Sequence, residues 1–100
     1  MTAARIALIH ALSDSVLPSH AAFAEHWPEA YAFDLLDTSL AVDREAAGRL
    51  DAPMMERFQT LANYAGATCG KNGKTAGILF TCSAFGPAID AVKPQLSIPV

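Results

Sequence analysis

Charged residues are scarce in this chain, and cysteines, aromatic residues and long apolar runs are scarce with them. Lys and Arg number 7 against 10 Asp and Glu, and a net charge of −3 argues against the basic stripe of a nucleic-acid-binding protein. No apolar run approaches the ~20 residues of a membrane span, and the N-terminus lacks a signal-peptide layout. The 2 cysteines have no framework spacing, so we expect a reducing, cytoplasmic location and neither nucleic acid nor membrane as partner.

The length of 100 residues allows one small domain with a single core. Only 17% of the residues are charged, which lies below the ~25% of a typical soluble domain. A lone domain of this composition is expected to expose an apolar face. A second lobe or a partner chain would cover that face.

Apolar segments predict the strands of a parallel sheet. Residues 5–12 form a nearly continuous apolar run, as in a central strand that is covered on both faces. Residues 30–36 and 76–82 follow as the second and third strands, and residues 98–100 begin a fourth. The alternation of strands with helices implies right-handed crossovers. The predicted fold class is therefore α/β, a three-layer α/β/α lobe with a four-stranded parallel, flavodoxin-like sheet.

The segments between the strands predict three helices. The first has Pro18 in its first turn and ends at Pro28, and the second begins near Asp51 with an apolar stripe along one face. The third covers residues 86–95. Residues 38–52 are interpreted as a long loop with about one helical turn.

A polar turn is predicted at residues 69–74, where two Gly and two Lys interrupt the pattern. It lacks the Gly-Lys-Ser/Thr ending of a phosphate-binding loop. Cys69 belongs to this turn and is interpreted as structural or exposed.

Cys82 is the most informative residue of the sequence. It ends the third predicted strand and precedes Ser83-Ala84-Phe85-Gly86-Pro87, which opens a helix. Ligands of open α/β sheets bind at the carboxyl ends of the strands, and a helix N-terminus favours a thiolate. We therefore expect a thiol that is more acidic than that of Cys69. The alternative is a small buried apolar residue, which is how most free cysteines behave.

The residues around Cys82 also carry a family resemblance. The run from Gly77 to Ile89, Gly-Ile-Leu-Phe-Thr-Cys-Ser-Ala-Phe-Gly-Pro-Ala-Ile, resembles the first cysteine motif of the aspartate/glutamate/hydantoin racemase superfamily. Residues 5–12 and 33–37 resemble its first two strands. Family members have two similar lobes, each with one cysteine, and the resemblance covers about the first of them. It implies that residues 1–100 are a single N-terminal lobe, completed by a missing C-terminal lobe or by a homodimer partner.

The resemblance implies a cofactor-independent racemase or isomerase that moves a proton at the α-carbon of an amino acid or hydantoin-type substrate. Cys82 matches the first catalytic cysteine, and Ser83 matches the neighbouring position that holds a substrate carboxylate. Ser13 and Asp14 match the loop after the first strand, and Thr81 lies at the same strand-end edge. The Asp-Ser-Gly-rich and Cys-Asn-Thr sequences of glutamate racemases are absent, so the substrate stays open. No cofactor and no metal are implied.

Other residues at the strand ends have simpler interpretations. Ser13 and Asp14 are also typical helix caps, and His10 is interpreted as a hydrogen-bonded partner at the end of its strand. His20 and His26 are six residues apart on one helix, which does not suit a joint metal site. The competing hypothesis for the whole chain is a non-catalytic flavodoxin-like binding or dimerisation module, in which Cys82 is structural.

Overall fold

Strand β1 (Arg5–His10) forms the centre of the sheet. Strand β2 (Tyr31–Leu36) pairs with it in parallel on one side. After the short strand β3 (Cys69–Gly70), strand β4 (Gly73–Phe80) pairs in parallel on the other side of β1. The order is β2-β1-β4-β3. The predicted α/β class is therefore confirmed, with a four-stranded mixed sheet.

The fourth strand differs from the one that the sequence predicted. The polar turn at 69–74 is a β-hairpin, in which β3 pairs antiparallel with the start of β4. Asn72 and Gly73 make this connection with φ of 64° and 93°, a left-handed backbone that Asn and Gly adopt at low cost.

The prediction of a fourth parallel strand at residues 98–100 is wrong. The carbonyl of Pro99 accepts one bond from the Ile78 N–H (3.0 Å) at the edge of β4. No strand forms there, since proline has no N–H with which to continue a ladder. The sheet is consequently mixed rather than wholly parallel.

The computed structural model describes residues 3–100, and for Ser83 its backbone alone. The connections contain four helices: α1 (Val16–His26), α2 (Ser39–Ala47), α3 (Ala52–Ala67) and α4 (Gly86–Val92). The prediction for α3 is confirmed, because Asp51 accepts a bond from the Met54 N–H (3.0 Å) and Pro53 lies in the first turn. Across residues 3–100, every helix is too short or too polar to cross a bilayer.

Helix α2 replaces most of the predicted loop at residues 38–52. Leu40 is fully buried and anchors the helix to the core. Gly48 ends it with φ of 74°, and its N–H bonds the carbonyls of Arg44 and Glu45. The loop prediction failed because one buried leucine on a mostly polar helix gives little periodic signal.

The main core lies on the sheet face that carries α3 and α4. Phe58 of α3 is fully buried, and its ring lies 4.8 Å from that of Phe85 and 5.6 Å from that of Phe80. On β1, Ala7 and Ile9 face this core, while Leu8 and His10 lie on the opposite face of the strand. The core therefore packs against the carboxyl ends of β1 and β4 on one face of the sheet.

Large apolar side chains remain on the surface. Among the described residues, these are Leu12, Leu17, Leu36, Val42, Tyr64 and Leu79. Leu12 and Leu17 flank the single turn Ser13–Ser15, whereas Leu79 belongs to β4. The expected continuous apolar face stays a prediction, because these side chains are distributed over α1, β2, α2, α3, β4 and the turn after β1.

Candidate active site

A cleft of about 340 Å³ opens at the carboxyl ends of β1 and β4. Its lining consists of Ala11, Leu12, Asp14, Ser15, Ala41, Thr81, Cys82, Ala84 and Phe85. β1 and β4 are adjacent and parallel, so the segments that follow them meet at one edge, as expected for this class of sheet. The cleft brings a thiol, two hydroxyls and one carboxylate together on an otherwise apolar surface.

Cys82 lies in this cleft, where the sequence placed it, and is partly buried. Burial raises the pKa of the Cys82 thiol above its usual value, although backbone N–H groups of Cys82 and Ala11 offset part of the rise. The expectation of an acidified thiol is therefore wrong. The physical reason is burial, which disfavours the thiolate; the dipole of α4 offsets little of this effect, because the tight turn Ser83–Phe85 separates Cys82 from the helix and a helix dipole acts only within about one turn.

The predicted substrate-binding residues divide into two groups. Asp14 and Thr81 line the cleft beside Cys82, as expected. Ser13 is exposed, lies in the single turn before α1 and is absent from the lining of the cleft, so its part in substrate binding stays a prediction. The side chain of Ser83 lies outside the described residues.

His10 is the hydrogen-bonded histidine that the sequence interpretation expected at the end of its strand. It is fully buried at the end of β1, and both of its ring nitrogens have partners. Nδ1 lies 2.7 Å from Ser15 Oγ and 2.8 Å from Thr81 Oγ1, both of which line the cleft. Nε2 lies 2.7 Å from Asp34 Oδ1. Its partners are therefore two hydroxyls of the cleft and the carboxylate of Asp34.

The network continues from His10 to the surface. The second oxygen of Asp34 lies 2.6 Å from Nε2 of His20 on α1. The His20 side chain is 38% exposed, whereas that of His10 is fully buried. A continuous chain of hydrogen bonds therefore joins the cleft hydroxyls to solvent.

Asp37, directly after β2, does not line the cleft, although Ala41 of the following helix α2 does. Asp37 accepts a bond from the Ser39 N–H (3.0 Å) and pairs with Arg57 of α3 at 3.3 Å. The hydrogen bonds from Ser39 are the main reason that the pKa of Asp37 is lowered. Asp37 therefore ties the start of α2 to α3 instead of contributing to a strand-end site.

Within the described residues, no three His, Cys, Asp or Glu side chains converge as a metal site would require.

One sequence signal for the His10 network was present, namely a histidine that ends a nearly continuous apolar strand. A polar group in such a position is normally hydrogen-bonded. Its partners Asp34 and Thr81 could not be identified without the register of the neighbouring strands.

No model of a protein family matches this chain, and comparisons with curated proteins and with solved structures likewise give no match.

Proposed function

We propose that this chain is the cysteine-bearing lobe of a cofactor-independent racemase or isomerase that acts at the α-carbon of an amino acid or hydantoin-type substrate. The observation that carries the proposal is the position of Cys82 in the cleft at the carboxyl ends of β1 and β4. The resemblance of residues 77–89 to a racemase cysteine motif supports it. The strand order β2-β1-β4 of the parallel part also supports a flavodoxin-like lobe.

The carboxylate and the hydroxyl groups of the cleft favour an amino acid over a small acid that lacks an ammonium group. Asp14 lines the cleft with a carboxylate that attracts an α-ammonium group and repels a lone anion. Thr81 supplies a hydroxyl for the substrate carboxylate, and Ser83 occupies the matching position of the family motif. The substrate would then present its α-carbon to Cys82.

Burial raises the pKa of Cys82, so proton exchange should become faster as the pH rises and more thiolate forms. The thiolate form of Cys82 removes the α-proton, which leaves a planar carbanion and a protonated sulfur; the sulfur exchanges that proton with solvent and returns deuterium to the same face of the carbanion. The N–H groups of Cys82 and Ala11 favour that thiolate. One sulfur can therefore exchange an α-proton on one face of the substrate, but inversion requires a second acid/base on the other face.

The test is α-proton exchange in deuterated water. The 100-residue protein is incubated with both enantiomers of a panel of amino acids and hydantoins, and deuterium uptake and optical rotation are followed. We expect uptake with retention of configuration. Cys82→Ser should slow the uptake by about 100-fold or more, in the range of a lost general acid/base.

Cys69→Ser is the matched control, because Cys69 is an exposed cysteine of the β3–β4 hairpin. Equal exchange by wild type and Cys82→Ser would rule out the proton-transfer role. Inversion by a strictly monomeric chain would contradict the need for a second lobe. Inversion by a dimer alone would assign the second base to another copy of the chain.

A further inference from the structure

We infer that Ser15, His10 and Asp34 form a nucleophilic triad, in which Ser15 attacks the acyl carbon of a short, uncharged ester. The inference rests on the hydrogen bonds around His10 and does not depend on proton transfer by Cys82. It assigns to the cleft an acyl-transfer activity that is distinct from racemisation. The two activities use different side chains and are tested by different readouts.

The first step of the argument is the protonation of the His10 ring. The Asp34 carboxylate can only accept hydrogen bonds, so Nε2, which lies 2.7 Å from Oδ1, carries a hydrogen. In the neutral imidazole, Nδ1 then carries no hydrogen and has a free lone pair that can accept one. That lone pair faces Ser15 Oγ at 2.7 Å and Thr81 Oγ1 at 2.8 Å. A base that a carboxylate orients toward a hydroxyl is the arrangement that activates serine nucleophiles.

The second step is the choice between the two hydroxyls. Thr81 and Ser15 both line the cleft, and their oxygens lie 2.9 Å apart. The backbone does not distinguish them, because Thr81 N–H bonds the Ile9 carbonyl (3.0 Å) and Ser15 N–H bonds the Leu12 carbonyl (3.3 Å). The Ser15 hydroxyl also lies 2.9 Å from the Leu12 carbonyl and must turn from that acceptor to His10 Nδ1 to be activated. Ser15 has a primary hydroxyl, whereas the methyl group of Thr81 crowds the approach of an acyl carbon. Ser15 is therefore assigned as the nucleophile, and Thr81 as a hydroxyl that donates to it.

The third step is the burial of the base. His10 is fully buried, so water competes little for Nδ1, and its ring is held by hydrogen bonds on both sides. Asp34 is itself held by His20 at 2.6 Å through its other oxygen. Asp34 acts through His10 and is thus a positioning residue. Such preorganisation keeps the base aimed at Ser15 before any ligand binds.

The reaction balances without a cofactor. Ser15 Oγ bonds to the acyl carbon while its proton passes to His10 Nδ1, and the tetrahedral adduct then expels the alcohol, which takes that proton. Water next attacks the acyl-serine, its proton passes to Nδ1, and the serine leaves with that proton as the carboxylic acid is released. The apolar lining and a volume of about 340 Å³ suit a short acyl chain. The carboxylate of Asp14 in the lining disfavours an anionic ester.

The test is covalent labelling by an alkyl fluorophosphonate, followed by peptide mass mapping, with hydrolysis of p-nitrophenyl acetate as a second readout. We expect one phosphonyl group per chain, on Ser15. Ser15→Ala should abolish the label, while Ser97→Ala, at an exposed serine near the C-terminus, should label like wild type. Asp34→Asn should slow labelling by about 100-fold and change its pH profile, with an unchanged circular dichroism spectrum.

The two readouts of the wild-type protein separate this inference from the proposed function: a chain that takes the phosphonyl label without α-proton exchange supports this inference alone, and a chain that exchanges the α-proton without taking the label overturns this inference alone. The inference is overturned if the label appears on Thr81 or elsewhere, or if no label forms. It is also overturned if Ser15→Ala labels at the wild-type rate. Unchanged labelling of a folded Asp34→Asn variant would contradict the role of the carboxylate.

Discussion

Replacing Phe58 with alanine should destabilise the protein by about 3–5 kcal/mol. The Phe58 side chain is fully buried on α3, and its ring packs against those of Phe80 and Phe85 at 5.6 and 4.8 Å. Alanine would remove both aromatic contacts and leave a cavity between α3 and the sheet. A domain of this size has about 5–15 kcal/mol in total, so the loss is a large fraction of the free energy of unfolding.

Urea denaturation followed by circular dichroism measures this loss as a lower midpoint at unchanged slope. The change should also reach the cleft, because Phe85 packs on Phe58 and lines the cleft beside Cys82. Alkylation of Cys82 by iodoacetamide should therefore be faster in Phe58→Ala than in wild type. The packing of Phe58 in the core would then be shown to control the accessibility of Cys82 through the ring of Phe85.

Tyr64→Ala is the matched control, since Tyr64 lies on the same helix with 61% of its surface exposed. We expect a change within about 0.5 kcal/mol, as for other surface substitutions. A cost below about 1.5 kcal/mol for Phe58→Ala would refute the reasoning, since that is less than the transfer term for a buried phenylalanine.

Three further outcomes follow from the structure. In the ligand-free protein near neutral pH, iodoacetamide should label Cys69 before Cys82, because Cys69 is exposed and burial raises the pKa of Cys82; faster labelling of Cys82, read by peptide mass mapping, would contradict this. The pKa of Asp37 is lowered in the folded protein, so its carboxylate stabilises the fold fully above the unfolded value of 3.8, and this stability is lost as the pH falls through the folded value. The urea midpoint of wild type should therefore exceed that of Asp37→Asn at neutral pH, and the two midpoints should converge well below pH 3.8. Gly48→Ala should cost about 1–2 kcal/mol in the same assay, although an added Cβ meets nothing within 4 Å, because φ of 74° is unfavourable for alanine; an unchanged midpoint would argue against a left-handed Gly48.

The parts of the fold that the sequence predicted are those with strong local signals. β1 follows from its apolar run, and α3 from Asp51, Pro53 and an amphipathic stripe. Helix α2 was missed because Leu40 is its only fully buried residue. The antiparallel β3 was missed because two residues are too few to form a pattern, although Asn72-Gly73 is a turn signal.

The candidate site was predictable to the level of an edge of the sheet. Cys82 and Thr81 follow a strong strand signal, and both line the cleft. The contacts of His10 depend on residues 24 and 71 positions away in the chain, which only the strand register brings together. The thiol pKa was predicted with the wrong sign because burial, a tertiary property, outweighs the local effect of the following helix.

The central position of β1 also constrains how the chain folds during synthesis. The partner of β1 in β2 lies about 26 residues further along the chain, whereas its partner in β4 lies about 70 residues further along. One edge of β1 therefore stays unpaired until β4 has been synthesised. At roughly 5–20 residues per second, the interval between the emergence of β2 and β4 lasts on the order of 2–9 s. During that time an apolar strand presents unpaired amides to chaperones and to other nascent chains. Ribosome-bound chains that expose residues 1–70 should be cleaved rapidly by protease, and those that expose all 100 residues should resist it.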